Sequence, residues 1–183
     1  PLIRQAWEGS DADYSDGRQL LIQGQQVMQD WEHPLMRKLA ANAAVPGGDL
    51  LEVGFGMGIS ATYVQEGGVA SHTIIEINHE VAKRFATWRG RWPERDIRLE
   101  LGGWQDVIGR LGQFDAILYD TYPTNEREFV ETLGPKSPFL AANFVEPAAA
   151  HLRPGGIFSY YTNEIDSLSR SHQRILLRHF EVP

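Results

Sequence analysis

The chain has 183 residues, with 17 Lys and Arg against 24 Asp and Glu, for a formal net charge of −7. That length favours a single domain, large enough to bury a core without disulfide or metal staples. The acidic balance excludes the broad basic footprint of non-specific nucleic-acid binding. The absence of cysteine excludes a disulfide framework, a thiolate metal site and a cysteine nucleophile.

Hydrophobic residues make up 42% of the chain and charged residues 22%, an ordinary globular composition. No apolar run approaches the roughly 20 residues of a membrane helix, and no leader resembles a secretory signal. The expectation is a cytoplasmic protein with no membrane or nucleic-acid partner. Six histidines are scattered without metal-ligand spacing, so no metal is expected.

In chain order, residues 1–26 carry little periodicity. They hold acidic Asp11, Asp13 and Asp16 and the isolated aromatics Trp7 and Tyr14. Such a segment reads either as a loose leader or as a lid, because large aromatics are wasteful in a disordered tail. Pro34 suits the first turn of a helix, with Leu35, Leu39 and Ala43 following on one face. Val45-Pro46-Gly47-Gly48 ends it. A short apolar strand, Asp49 to Val53, leads through glycine turns into a helix from Ile59 to Glu66. Strand Thr73–Ile77 precedes helix Glu80–Arg89, and strand Ile97–Leu101 precedes helix Trp104–Leu111. Phe114–Tyr119 is strand-like. Residues 121–138 hold three prolines and no clear period, and read as a loop. Leu140–Leu152 reads as a helix, Arg153-Pro154-Gly155-Gly156 as a turn, Ile157–Tyr161 as a strand and Ser167–His179 as a last helix.

Strand and helix alternate five times, which predicts an α/β fold: a Rossmann-like, doubly wound, mostly parallel sheet with right-handed crossovers. Ligands of such sheets sit beyond the carboxyl ends of the strands. The loops after the strands are therefore the place for chemistry.

The first of these loops reads Glu52-Val53-Gly54-Phe55-Gly56-Met57-Gly58. Glycines let backbone approach a ligand, and the amides at the following helix start point towards it. Ile59 stands where a dinucleotide fingerprint wants its last glycine, which disfavours a NAD-linked oxidoreductase. The G-x-G-x-G form after an acidic strand residue resembles motif I of class I S-adenosylmethionine methyltransferases. Glu76 ends the second strand 20 residues past Gly56, where a carboxylate can accept both ribose hydroxyls. Trp104 and its neighbours Gln105 and Asp106 read as an adenine face or, for the indole, as core. Asp120, after the fourth strand, reads as a carboxylate at the reactive lip or as a turn aspartate bonding its own loop. On pattern alone Glu32 is a surface or first-turn helix charge, and Met28 and Met36 are core.

Six segments together resemble guanidinoacetate N-methyltransferase: Val27–Met36, Leu51–Ile59, Ile74–Asn78, Gly103–Val107, Phe114–Pro123 and Arg153–Gly156. The most specific are Trp31-Glu32 with Pro34 and Met36, and Leu118-Tyr119-Asp120-Thr121-Tyr122-Pro123. The resemblance implies a class I methyltransferase fold with an N-terminal helical lid and S-adenosylmethionine as cofactor, leaving S-adenosylhomocysteine. It implies that Phe55, Gly56, Met57, Gly58, Ile59 and Ser60 line the methionine part of the cofactor, beside Glu52 and Gly54. Glu76, Ile77 and Asn78 would hold the ribose, and Gly103 with Trp104 the adenine. Met28 and Met36 would touch cofactor and substrate, and Trp7 would belong to the lid. Glu32 and Asp120 would grip the guanidino group as the catalytic pair, with Tyr122, Asn163 and Glu164 also on the substrate side.

Two departures shape the expectations. In the family, the segment after the fifth strand receives the substrate carboxylate, but here Thr162-Asn163-Glu164-Ile165-Asp166 places acids there. This favours an arginine-like acceptor or a guanidino metabolite over guanidinoacetate itself. A protein arginine methyltransferase and a non-catalytic binding module are the alternatives. The family also continues with two more strands. An open sheet edge, with apolar Ile175, Leu176 and Phe180 beside it, leads us to expect that strands past Pro183 or a two-fold partner cover it.

Overall fold

The computed structural model describes residues 7–14, 16–124, 139–162, 164 and 166–181. From the end of a helical turn at Trp7, the chain enters β1 (Ala12–Asp13), β2 (Gln19–Ile22) and β3 (Gln25–Gln29), a three-stranded antiparallel sheet. Among the described residues the N-terminal segment is therefore helical at positions 7–8 and mostly β-sheet from there to Gln29. The cause of the sheet is local. Gln23 and Gly24 both take positive φ, 54° and 70°, as a two-residue hairpin turn demands. Leu20 and Ile22 alternate inward on β2, and Met28 does so on β3.

A 3-10 turn at Asp30–Glu32 leads into α1 (His33–Ala43), with proline in its first turn. Then come β4 (Asp49–Val53), α2 (Ile59–Glu66), β5 (Ser71–Glu76), α3 (His79–Arg89) and β6 (Asp96–Leu101). The short α4 (Trp104–Val107), β7 (Phe114–Tyr119), α5 (Val145–His151), β8 (Leu152–Tyr160) and α6 (Arg170–Leu176) follow. Strands β4 to β8 form one parallel sheet in the order β6-β5-β4-β7-β8. This is the expected doubly wound sheet, with the order of winding reversing between β4 and β7. The expected turn at Arg153–Gly156 is instead an irregularity inside β8. The pairing with β7 jumps there from Phe114 opposite Leu152 to Ala116 opposite Ile157.

Alternation along the strands sends side chains to two cores. Leu50, Ile74, Ala116 and Leu118 pack beneath α1, α2, α3 and the N-terminal sheet. Leu51, Val53, Ile75, Ile117 and Tyr119 pack beneath α4, α5 and α6. Leu176 is buried there, with Ile175 and Phe180 packed against it, and Phe180 stacks on Phe158 at 5.5 Å. These three apolar residues therefore bury against the sheet already described. No helix among the described residues is long and apolar enough to cross a membrane.

Candidate active site

The glycine loop after β4 meets the loop after β7 at close quarters. A Cβ on Gly54 would stand 2.4 Å from the carbonyl oxygen of Asp120, and Gly54 has φ +96°. Only glycine allows that approach. The loop is tied across to β5 by Glu76. One carboxylate oxygen of Glu76 accepts the amides of Phe55 (2.9 Å) and Gly56 (3.5 Å), and the other accepts that of Asn78 (2.8 Å). Beneath the loop, Glu52 is fully buried between the hydroxyl of Ser60 and Nε2 of His72, the latter at 2.8 Å. Gln65 donates to Nδ1 of that ring at 2.9 Å, which places the ring proton on Nε2, facing Glu52.

The N-terminal sheet closes over this loop. The sulfur of Met28 lies 3.4 Å from the amide of Met57, and Tyr14 donates its hydroxyl proton to the carbonyl of Gly56 at 3.3 Å. The guanidinium of Arg84 lies 3.9 Å above the Tyr14 ring. The Asn78 amide donates to the carbonyls of Trp7 and Ser10, both at 2.9 Å, while its oxygen caps α3 through Glu80 and Val81. Trp7 stacks on Tyr122 with centroids 5.8 Å apart and planes at 7°. Trp7 thus bridges the N-terminal segment and the loop after β7.

The result is a cavity of about 330 Å³. Its walls include Trp7, Met28, Glu32, Met36, Gly54, Gly56, Glu76, Ile77, Asp120 and Tyr122. A second cleft of only about 30 Å³ adjoins it along Gly103, Trp104 and Gln105, sharing Gly54, Glu76, Ile77, Thr121 and Tyr122. Trp104 lines this cleft and also meets Phe144 edge-on at 5.0 Å.

Among the described residues, the large cavity is lined by three carboxylates and by no Lys, Arg or His. Desolvation dominates their electrostatics. It pushes the Asp120 carboxyl up to about 7, helped by the negative charges of Glu32 and Glu52. Desolvation also raises Glu32 and Glu76, against the backbone amides that bond them. Glu32 spends one oxygen on the amide of Gln29, at 2.7 Å.

Several expected contacts fall elsewhere. Glu52, Phe55, Met57, Gly58, Ile59 and Ser60 line neither cavity; Glu52 and Ser60 bond to each other beneath the loop that Phe55, Met57 and Gly58 help to form. Phe55 turns its ring to Phe85 and Trp88, at 5.4 and 5.3 Å. Asn78 secures the N-terminal segment instead of lining the cavity. Glu164 is turned away from the cavity, because Nδ1 of His172 (2.8 Å) and the amide of Ser169 (2.9 Å) hold it. Glu164 is therefore not itself a cavity-wall residue among those described. Asn163 lies outside the described residues. Sequence reasoning missed the cavity walls contributed by Leu20, Gln29, Trp31, Thr121, Leu140 and Tyr161. The hairpin turn at Gln23-Gly24 was a usable signal for Leu20. None marked Leu140.

Residues 2–172 match the sequence profile of the family described as guanidinoacetate N-methyltransferase. Protein arginine N-methyltransferase 2 of Yarrowia lipolytica is 31% identical over 161 residues, covering 81% of this chain and 31% of that protein. The chain spans about a third of the length of such curated relatives. Among solved structures, a spermidine synthase in complex with the transition state analogue AdoDATO aligns with TM-score 0.59 and 15% identity. That alignment covers 88% of this chain and 56% of the other. A methyltransferase from Pyrococcus furiosus aligns with TM-score 0.58 and 21% identity, over 79% of this chain and 71% of that one. These two likenesses are of fold alone. The profile match over nearly the whole chain, laid on this fold and this glycine loop, shows that the chain belongs to the guanidinoacetate N-methyltransferase family.

Proposed function

We propose that the chain is an S-adenosylmethionine-dependent N-methyltransferase whose acceptor is a guanidino group. The observation that carries this reading is the cavity wall. Glu32 and Asp120 face one space, beside a glycine loop, with no cationic side chain lining it among the described residues. A guanidinium is planar, cationic and rich in paired N–H donors, so two carboxylates bind it with charge-assisted, forked bonds.

The residues present fit the cofactor. The glycine loop offers close backbone approach, and Glu76 stands where the two cavities join. Gly54, Gly56 and Met28 would lie along its methionine part and Glu76 along its ribose. The adenine would lie along the adjoining cleft, against Gly103 and Trp104. When bound, the cofactor supplies a methyl group activated by a sulfonium.

The chain's own groups do the rest. A protonated guanidino nitrogen is a poor nucleophile, with a pKa above about 12. Glu32 holds one side of the group and fixes its plane. Asp120 accepts the proton that the reacting nitrogen gives up, so positive charge does not build on the acceptor. A carboxyl poised at about 7 is matched to that exchange near neutral pH. Holding nitrogen and methyl in line supplies several kcal/mol of the barrier reduction.

The same cavity argues about the carrier. Among the described residues no cation lines its walls, so a free carboxylate close to the guanidino group would meet no ion-pair partner there. Trp31, 67% exposed at the rim, offers apolar surface to a longer acceptor. An arginyl side chain within a polypeptide meets both conditions, as do small cationic guanidines, and the named relatives act in keeping with the first. The test is mass spectrometry after incubation with S-adenosylmethionine and guanidinoacetate, arginine, agmatine or an arginine-containing peptide. Addition of one methyl to the guanidino nitrogen of the peptide or of agmatine is expected. A preference for guanidinoacetate would overturn the carrier argument. Cofactor binding with no methylated product from any acceptor would favour a binding module.

A further inference from the structure

Outside the carboxylate site, a second polar cluster lies against α6. His172 is fully buried and spans three partners. Its Nδ1 lies 2.8 Å from a carboxylate oxygen of Glu164, and its Nε2 lies 2.6 Å from the hydroxyl of Tyr160. Its ring stacks on Phe139 with centroids 3.6 Å apart and planes at 7°. A carboxylate can only accept, so Nδ1 carries the proton and Nε2 accepts the one from Tyr160. Burial pushes the Tyr160 phenol up to about 12, in keeping with its role as donor. Ser169, at the start of α6, caps His172 from the other side at 3.2 Å.

The positions of these partners along the chain give the cluster its meaning. Tyr160 immediately precedes Tyr161, and Phe139 immediately precedes Leu140. Tyr161 and Leu140 both line the large cavity. One imidazole therefore holds two separate cavity walls, the end of β8 and the start of the segment leading to α5. Neither wall belongs to the glycine loop, the Glu76 junction or the Glu32–Asp120 pair. A buried polar chain whose members all have partners fixes one geometry, because each broken bond strands another buried group.

We propose that His172 is a positioning residue for the acceptor side of the cavity. Through Tyr160, Glu164 and Phe139 it sets where Tyr161 and Leu140 stand, and so which carrier of the guanidino group is admitted. The inference rests on the proposed methylation for its kinetic readout, but not for its structural one.

The test uses His172→Phe, which keeps a ring against Phe139 and removes both hydrogen bonds, alongside Glu164→Gln, which still accepts from Nδ1. Three quantities are measured: cofactor affinity by calorimetry, KM and kcat for the acceptor panel, and amide hydrogen exchange of residues 139–141 and 158–161. For His172→Phe we expect cofactor affinity within about twofold of the parent and KM for the preferred acceptor raised at least about tenfold. We also expect a smaller change in kcat, an altered ranking among acceptors and faster exchange in both walls. Glu164→Gln should stay close to the parent in all of these. Unchanged KM and ranking, or equal losses of cofactor and acceptor binding, would overturn the inference. If the parent protein binds cofactor but methylates no acceptor, the function reading fails, and the exchange data decide alone. Quickened exchange confined to the two walls then supports the positioning role, and unchanged exchange refutes it.

Discussion

The two ends of the parallel sheet treat their acids in opposite ways. At the amino-terminal end, Asp49 and Asp115 share Arg153, at 2.8 and 2.6 Å. Asp49 is held below the usual carboxylate range by hydrogen bonds from Ser71 and Arg153, and Asp115 by the Asp49 amide and Arg153. At the carboxyl-terminal end of the sheet, Glu32, Glu76 and Asp120 meet no cation on the cavity wall among the described residues and are all raised. A fold that pairs its acids where only structure is at stake, and leaves them unpaired around a cavity, has kept a place for a positive charge. In the proposed reaction the guanidino acceptor supplies that charge.

Removing the base from the unpaired end has the largest expected effect. Asp120→Asn preserves shape but accepts no proton, so kcat should fall by at least about 100-fold while cofactor affinity stays within a few-fold. Retention of more than about a tenth of the parent rate would contradict the base role. Next is Glu32→Gln, whose lost charge-assisted bond costs about 1.5–3 kcal/mol. That appears as roughly 10–100-fold in kcat/KM, mostly in KM. Unchanged KM would remove Glu32 from the grip. Glu76→Ala should weaken cofactor binding about tenfold or more, since both the proposed ribose acceptor and the tie to Phe55 and Asn78 are lost. Calorimetry showing parent-like affinity would refute that assignment. Smallest is Arg153→Gln at the paired end. Its ion pairs are largely open to solvent, so a slight loss of thermal stability and no change in kcat/KM are expected. A large kinetic effect there would erase the contrast between the two ends.

Much of this arrangement is legible in the residues themselves. The apolar runs Leu50–Val53 and Ile74–Glu76, each followed by a helix pattern, and Phe114–Tyr119, followed by a long loop, mark buried parallel strands. Gly54 and Glu76 stand at strand ends, where ligands of such sheets bind. The N-terminal hairpin was harder to see, because β3 reads Gln-Gln-Val-Met-Gln and buries only Met28. Its packing partners are glycine-loop atoms far away in sequence. Glu164 shows the opposite failure. Its place in the chain pointed at the substrate, but His172 and the Ser169 amide supply stronger local partners and turn it away. The burial of Leu176 against Phe144's side of the sheet depends on how α6 docks, which spacing alone does not set.

The central claim is that Asp120 is a raised, unpaired carboxyl awaiting a cation, and titrating it by carbon NMR tests this most directly. The free protein should show an apparent pKa of about 7 for Asp120. Between about 4 and that value, the folded protein keeps a proton that the unfolded chain has already released, so stability should fall as pH rises across the window. Over the upper part of the same window kcat/KM should rise as the base ionises. Adding methylguanidine with S-adenosylhomocysteine should pull the Asp120 pKa down towards the ordinary carboxylate range, because the bound guanidinium favours the charged form. An Asp120 that titrates near 4 in the free protein, or a raised pKa that methylguanidine leaves unmoved, would contradict the account.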